Sequence, residues 1–137
     1  MKLEEFIKNE EVLKSQNLVD KEFLNNIENL VGLKFGNQLS EYILKYGFLL
    51  YESVEFYGIN SKQNLESDLV KQTIYLHKYF PTTNNFFAFE NLGDGFYAIV
   101  NDKDEVHYFN SENNKLENIK ISLFDYILKR FNEEKNI

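Results

Sequence analysis

The side chains with chemical reach are two histidines, one short run of carboxylates and one glycine pair. His77 lies among apolar residues at helical spacing, and His107 stands between Val106 and Tyr108 in a strand-like run. A nucleophile needs Ser, Thr or Cys beside an oriented imidazole. Neither histidine falls in a motif of that kind, so both read as structural or surface residues rather than catalytic ones. There is no cysteine, which removes thiolate zinc sites, thiol nucleophiles and disulfides. Asp102-Lys103-Asp104-Glu105 offers calcium-type oxygen ligands but lacks the glycine and distal glutamate of an EF-hand loop, and reads as a solvated hairpin turn. Gly93-Asp94-Gly95 lies between two strands and not before a helix, which suits a turn better than a phosphate cradle. No P-loop or dinucleotide fingerprint occurs. The expectation is a protein that is not an enzyme, with no catalytic residue, metal or cofactor.

What remains is acid beside aromatic. From Glu90 to Glu112 there are six carboxylates against Lys103 alone, a net of −5 out of −7 for the whole chain. Tyr97, Tyr108 and Phe109 are interleaved with them. Desolvated carboxylates and rings of this kind grip basic partners; alternatively, the rings face the core and the acids face water. A pI near 4.9 argues against direct nucleic-acid binding, which needs a basic footprint. It favours a basic protein partner, or solubility alone. The N-terminus has no apolar signal region, and no stretch approaches the length of a membrane span, so the expected location is cytoplasmic.

These residues need elements to hold them. The length of 137 residues predicts one domain with its own core, and an aromatic share of 16% predicts a core built on rings. Leu3, Phe6, Ile7 and Leu13 suggest an N-terminal helix over 1–14. A helical hairpin follows over 20–47. Asp20 caps its first helix, with Val19 and Leu24 as a staple; Phe23, Leu24, Ile27, Leu30 and Val31 form its stripe, and Gly32 ends it. Asn37 caps the second, whose inner face is Leu39, Tyr42, Ile43 and Tyr46, and Gly47 ends that one. Strands follow over 48–59: Phe48 to Tyr51 is buried, while Ser53 to Ile59 is a second strand or an irregular crossing. There Tyr57-Gly58 implies a close backbone approach or a positive φ. Asn60 to Asn64 reads as a loop and 65–80 as a helix that Pro81 stops. A β-meander covers 84–110, with strands Phe86 to Glu90, Phe96 to Val100 and Glu105 to Phe109. Ser111 to Asn118 reads as a polar loop. Ser122 and Asp125 form a capping box before a last helix over 122–134, with Phe124, Ile127, Leu128 and Phe131 inward. The order indicates an α+β fold, a largely antiparallel sheet with helices packed around it.

Three stretches carry a family likeness. Ile27 to Gly47, IENLVGLKFGNQLSEYILKYG, is similar to a short helix and connector followed by a helix that ends on glycine. Ser53 to Ile59, SVEFYGI, closes on an aromatic-glycine-aliphatic triplet. ENLGDGFYAIVNDKDEVHYFN is a hairpin of glycine, acid and aromatic residues that leads into the last helix. Together they resemble the SUKH superfamily of bacterial immunity proteins and their fungal cell-wall-regulator relatives. One departure is Phe35-Gly36-Asn37, where the family commonly opens its helix with leucine-proline. The resemblance implies an α+β domain without enzyme activity that binds and neutralises a toxin domain, commonly a nuclease, of a polymorphic or contact-dependent system. Partner contact is then expected from Glu90, Asp94, Tyr97, Asp102, Asp104 and Glu105, with Glu52 and Glu55 as neighbours. The alternative is a regulatory or scaffold module that binds a non-toxin protein.

Overall fold

Caps set most of the helix ends. In a computed structural model, which describes residues 2–60 and 68–136, helix α2 (Lys21–Val31) begins at Asp20, whose side chain accepts from the Phe23 amide, and ends on Gly32. Helix α3 (Asn37–Tyr46) ends on Gly47. Helix α4 (Leu69–Tyr79) begins at Asp68, which accepts from the Val70 and Lys71 amides, and stops before Pro81. The expected loop after Asn60 and the expected start of α4 before Asp68 lie outside the described residues. In α2 the stripe is narrower than its spacing suggested: Leu24 and Ile27 are buried, Val31 is half-buried, and Leu30 points into water.

Helix α1 (Leu3–Asn9) is shorter than the expected 1–14 helix. Leu13–Lys14 leaves it as strand β1 and pairs with β2 (Leu49–Tyr51), so the exposed Leu13 belongs to a sheet edge. Strand β3 (Val54–Glu55) completes this small antiparallel sheet. Beyond Glu55 the chain becomes the irregular crossing. The Tyr57 amide donates to the Phe89 carbonyl at 2.7 Å, and the Ile59 amide to the Gly47 carbonyl at 2.9 Å. A Cβ on Gly58 would stand 2.1 Å from the Gly47 carbonyl oxygen, so a close approach, not a positive φ, calls for glycine there.

The second sheet is the meander, with one strand more than expected. Its order is β4 (Phe87–Gly93), β5 (Phe96–Val100), β6 (Glu105–Asn110) and β7 (Lys115–Ser122), all antiparallel. Strand β7 takes part of the segment read as a polar loop. Its register against β6 shifts between Glu105 and His107, with Lys120 at φ 58°. That bulge breaks the alternation of Leu116, Ile119 and Ile121 and hides the strand from a period-two search.

The meander is covered on both faces. On one, the Ala88 amide donates to Thr73 Oγ1 of α4, and Phe80 meets Phe109 edge-on. On the other lies helix α5 (Leu123–Lys135), whose Tyr126 packs against Tyr108 and Phe89. Phe56, Phe89, Phe131, Tyr51 and Phe6 continue as a chain of ring contacts to α1, with centroids 4.8–5.4 Å apart. The core is thus built on rings, inside an α+β domain with helices around antiparallel sheets.

Helix α5 is seated differently from its sequence pattern. Ser122 occupies the N-cap position, but its side chain makes no cap bond. The Leu123 amide instead donates to the Asp104 carbonyl and the Phe124 amide to Gln38 Oε1. Leu123, Tyr126, Ile127 and Phe131 are buried, while Phe124 and Leu128 are only half-buried.

Candidate partner-binding surface

Two of the expected contact residues turn inward. Glu90 is 3% exposed. The Tyr126 hydroxyl donates to Glu90 Oε1 at 2.5 Å and Arg130 Nη2 donates to Oε2 at 2.7 Å, with Arg130 Nε 3.1 Å and 3.2 Å from the two oxygens. Such a forked, charge-assisted pair satisfies a carboxylate removed from water. Glu90 in turn raises the affinity of the Arg130 guanidinium for its proton. Burial, reinforced by the Glu90 charge, pushes the Tyr126 phenol upward. Glu90 therefore joins β4 to α5 and lies beneath the surface of the folded chain. Arg130 and Tyr126, its two partners, carried no sequence signal beyond helical spacing.

Asp104 is the second inward acid. It has φ 62° and is 7% exposed. Its Oδ2 accepts from the Gln38 amide at 2.8 Å and its Oδ1 from the Leu39 amide at 3.1 Å. Asp104 thus caps α3, in place of the expected Asn37; the N-cap position itself is Gly36, which has no side chain to offer. A Cβ on Gly36 would lie 2.3 Å from Asp104 Oδ1. Glycine in the Phe35-Gly36-Asn37 connector is what lets the meander turn approach the helix.

Asp94, Asp102, Glu105, Glu52 and Glu55 are exposed. None of the five has a cation within ion-pair distance among the described residues. Asp102 and Glu105 share the β5–β6 turn, which Asn101 organises: its Oδ1 accepts from the Lys103 and Glu105 amides, and its Nδ2 donates to Glu105 Oε1 at 2.8 Å. Asp94 lies in the β4–β5 turn, at the other end of strand β5. Five residues of strand separate the ends, about 17 Å at ~3.4 Å per residue. Glu52 and Glu55 sit on the β2–β3 hairpin, where Glu134 of α5 accepts from Ser53. The acids therefore lie on three separate turns.

The family model SUKH_5, described as SMI1-KNR4 cell-wall, matches residues 2–132. The chain belongs to that family. The comparison with curated proteins gives no match.

The three stretches that carry the likeness touch one another in this SUKH domain. Asp104 of the hairpin caps α3, the Ile59 amide of the crossing donates to the Gly47 carbonyl at the end of α3, and the Tyr57 amide donates to Phe89, the residue just before the hairpin stretch. The remaining expected contact, Tyr97, is half-buried on the α4 side of the SUKH sheet. Burial raises its phenol, and Tyr75 of α4 adds to the effect. Tyr75 and Tyr79 are exposed, with rings 5.1 Å apart. These two tyrosines were missed by sequence reasoning; their signal is an i, i+4 pair lying off the apolar stripe of α4. The histidines fill the α4–sheet interface. His77 Nε2 lies 2.8 Å from the Phe86 carbonyl oxygen, and the His107 ring meets Phe86 edge-on at 4.7 Å. Among the described residues no three of His, Asp and Glu converge as a metal cluster, and no helix is long and apolar enough to cross a membrane.

Proposed function

We propose that this SUKH domain is a cytoplasmic immunity protein. It binds the toxin domain of a polymorphic or contact-dependent system one to one and occludes it, without performing an enzymatic step. The toxin is a nuclease, whose surface is basic where it meets phosphate and is covered here by acid. The observation that supports this reading best is the β5–β6 turn. Asp102 and Glu105 project there without a cation partner among the described residues, on a turn held by Asn101 and anchored by Asp104. A turn fixed in advance loses little freedom when a partner's arginine or lysine meets its carboxylates.

The test is a pull-down of the tagged protein from its native host at low and raised salt. Recovery of one basic toxin domain, held less tightly as salt rises, is the expected result. The family description, SMI1-KNR4 cell-wall, favours a second reading, a regulatory or scaffold module for a non-toxin protein. Recovery of a cell-envelope or signalling protein in place of a toxin selects that reading and overturns the first.

A further inference from the structure

Helix α5 carries more apolar surface than the core covers. Phe124 and Leu128, one turn apart and only half-buried, look into a cleft of about 320 Å³ between α1, α3 and α5, whose lining also includes Leu3 and Tyr46. Three carboxylates stand around it, one from each helix: Glu4, Glu41 and Asp125. Lys45 pairs with Glu4 from outside the lining, and this contact holds the Glu4 carboxyl below the usual carboxylate range. Glu41 and Asp125 are exposed and have no cation within ion-pair distance among the described residues. Lys2 is the one cation among the described lining residues.

An apolar floor under a carboxylate rim suits a long cationic side chain. Its methylenes cover the apolar carbon while its head stays at the carboxylates. A guanidinium fits better than an ammonium, because it is more weakly hydrated and presents a planar fork to two acceptors. An acidic segment would meet like charge, and a purely apolar one would strip water from the acids without replacing it. The place is also apt. The Leu123 amide donates to the Asp104 carbonyl and the Phe124 amide to Gln38. The first turn of α5 is therefore fixed beside the turn that bears Asp102 and Glu105.

We propose that the cleft between α1, α3 and α5 receives an arginine side chain of a bound protein. Glu41 and Asp125 take the guanidinium, and Phe124 and Leu128 cover its stem. The assignment rests on the reading of this domain as a partner-binding module and names the anchor point of that partner.

The test uses the isotope-labelled full chain, titrated with the peptide acetyl-Leu-Arg-Leu-amide and followed by amide chemical shifts. Acetyl-Leu-Glu-Leu-amide serves as the control. Saturable shifts at Leu3, Glu41, Tyr46 and the Phe124 to Leu128 turn are expected with the arginine peptide alone. The double variant Glu41→Gln/Asp125→Asn should weaken that binding about tenfold, the sum of two exposed charge contacts. Both positions are exposed, and the amide spectrum of the variant checks its fold. Three results overturn the assignment: no cleft residue moves, both peptides move the cleft alike, or the folded double variant binds as tightly as the parent. The peptide replaces the natural partner, so a pull-down without a toxin leaves this result readable. A cleft that ignores the peptide likewise leaves the pull-down to decide the function.

Discussion

Glu90 is a charge taken out of water, and its neighbours make that tolerable. Removing one partner of such a pair costs far more than the pair contributes, because the other charge is left without compensation. Glu90→Gln leaves the Arg130 guanidinium, with a side chain 23% exposed, facing a neutral amide. We expect a loss of about 3 kcal/mol, read as a lower denaturant midpoint at unchanged slope. A loss no larger than that of an exposed pair would mean that the contact does not hold β4 to α5. The tyrosines make a second prediction at this scale. Burial first, then nearby negative charge, pushes the Tyr57 phenol up to about 12, against roughly 10 in an unfolded chain. Between those values the unfolded chain has released a proton that the folded one keeps, so stability falls as pH rises. Tyr57 should contribute on the order of 2 kcal/mol to the decline seen in chemical denaturation at stepped pH from 10 to 12, beside the shares of Tyr42 and Tyr126, whose phenols burial also raises. Tyr57→Phe should make the decline shallower, and the same slope in the variant would assign it to other groups. Little of this was legible in the sequence. Asp20 and Gly32 could be read because their partners lie within one turn, whereas Glu90 meets Arg130 forty residues away.

Between elements, the decisive contact is that of the β5–β6 turn with the starts of two helices. Asp104 caps α3 with its side chain and holds the first amide of α5 with its carbonyl, while Gln38 of α3 takes the next. The geometry predicts a coupling between Asp104 and Gly36. Gly36 has φ −71° and ψ 168°, values open to any residue, so the effect of Gly36→Ala comes from the Asp104 carboxylate that its Cβ would strike. Gly36→Ala should destabilise by about 2 kcal/mol as an overpacking change, and Asp104→Ala by a similar amount as a lost charged cap. The double variant should cost clearly less than the two together, because without the carboxylate nothing opposes the new methyl. Additive losses in thermal or denaturant unfolding would place the clash elsewhere. Element type was legible wherever a periodic pattern met a local cap or turn residue, as in α2, α3, α4 and the first three meander strands. It failed at β7, where the bulge at Lys120 broke the alternation, and at Leu13, whose helical spacing was overridden by pairing with Leu50. It also failed to rank the acids, since six carboxylates of one chemical type divide into buried clasps and free surface only when the helices are in place.

Over the whole molecule, the question is whether a net charge of −7 attracts a partner from all sides or at one end. The meander keeps its turns at opposite ends, so Asp102 and Glu105 are about 17 Å from Asp94 along β5 at ~3.4 Å per residue. That is roughly twice the ~8 Å over which charges are felt at physiological salt. Two double variants separate the cases: Asp102→Lys/Glu105→Lys at one end and Asp94→Lys/Glu112→Lys at the other. Each moves the net charge from −7 to −3, because every acid-to-lysine change adds two charges. All four residues are exposed, so both variants should keep the fold. If the β5–β6 turn and the adjoining α5 cleft form the docking end, the first variant should weaken binding of the recovered partner at least about a hundredfold, as expected when like charges are brought together across an interface. The second should slow association modestly at low salt and match the parent once salt is raised. Equal losses at both ends, removed equally by salt, would mean that the overall field recruits the partner and that the contact face lies apart from the meander turns, with the exposed rings of Tyr75 and Tyr79 the next surface to alter.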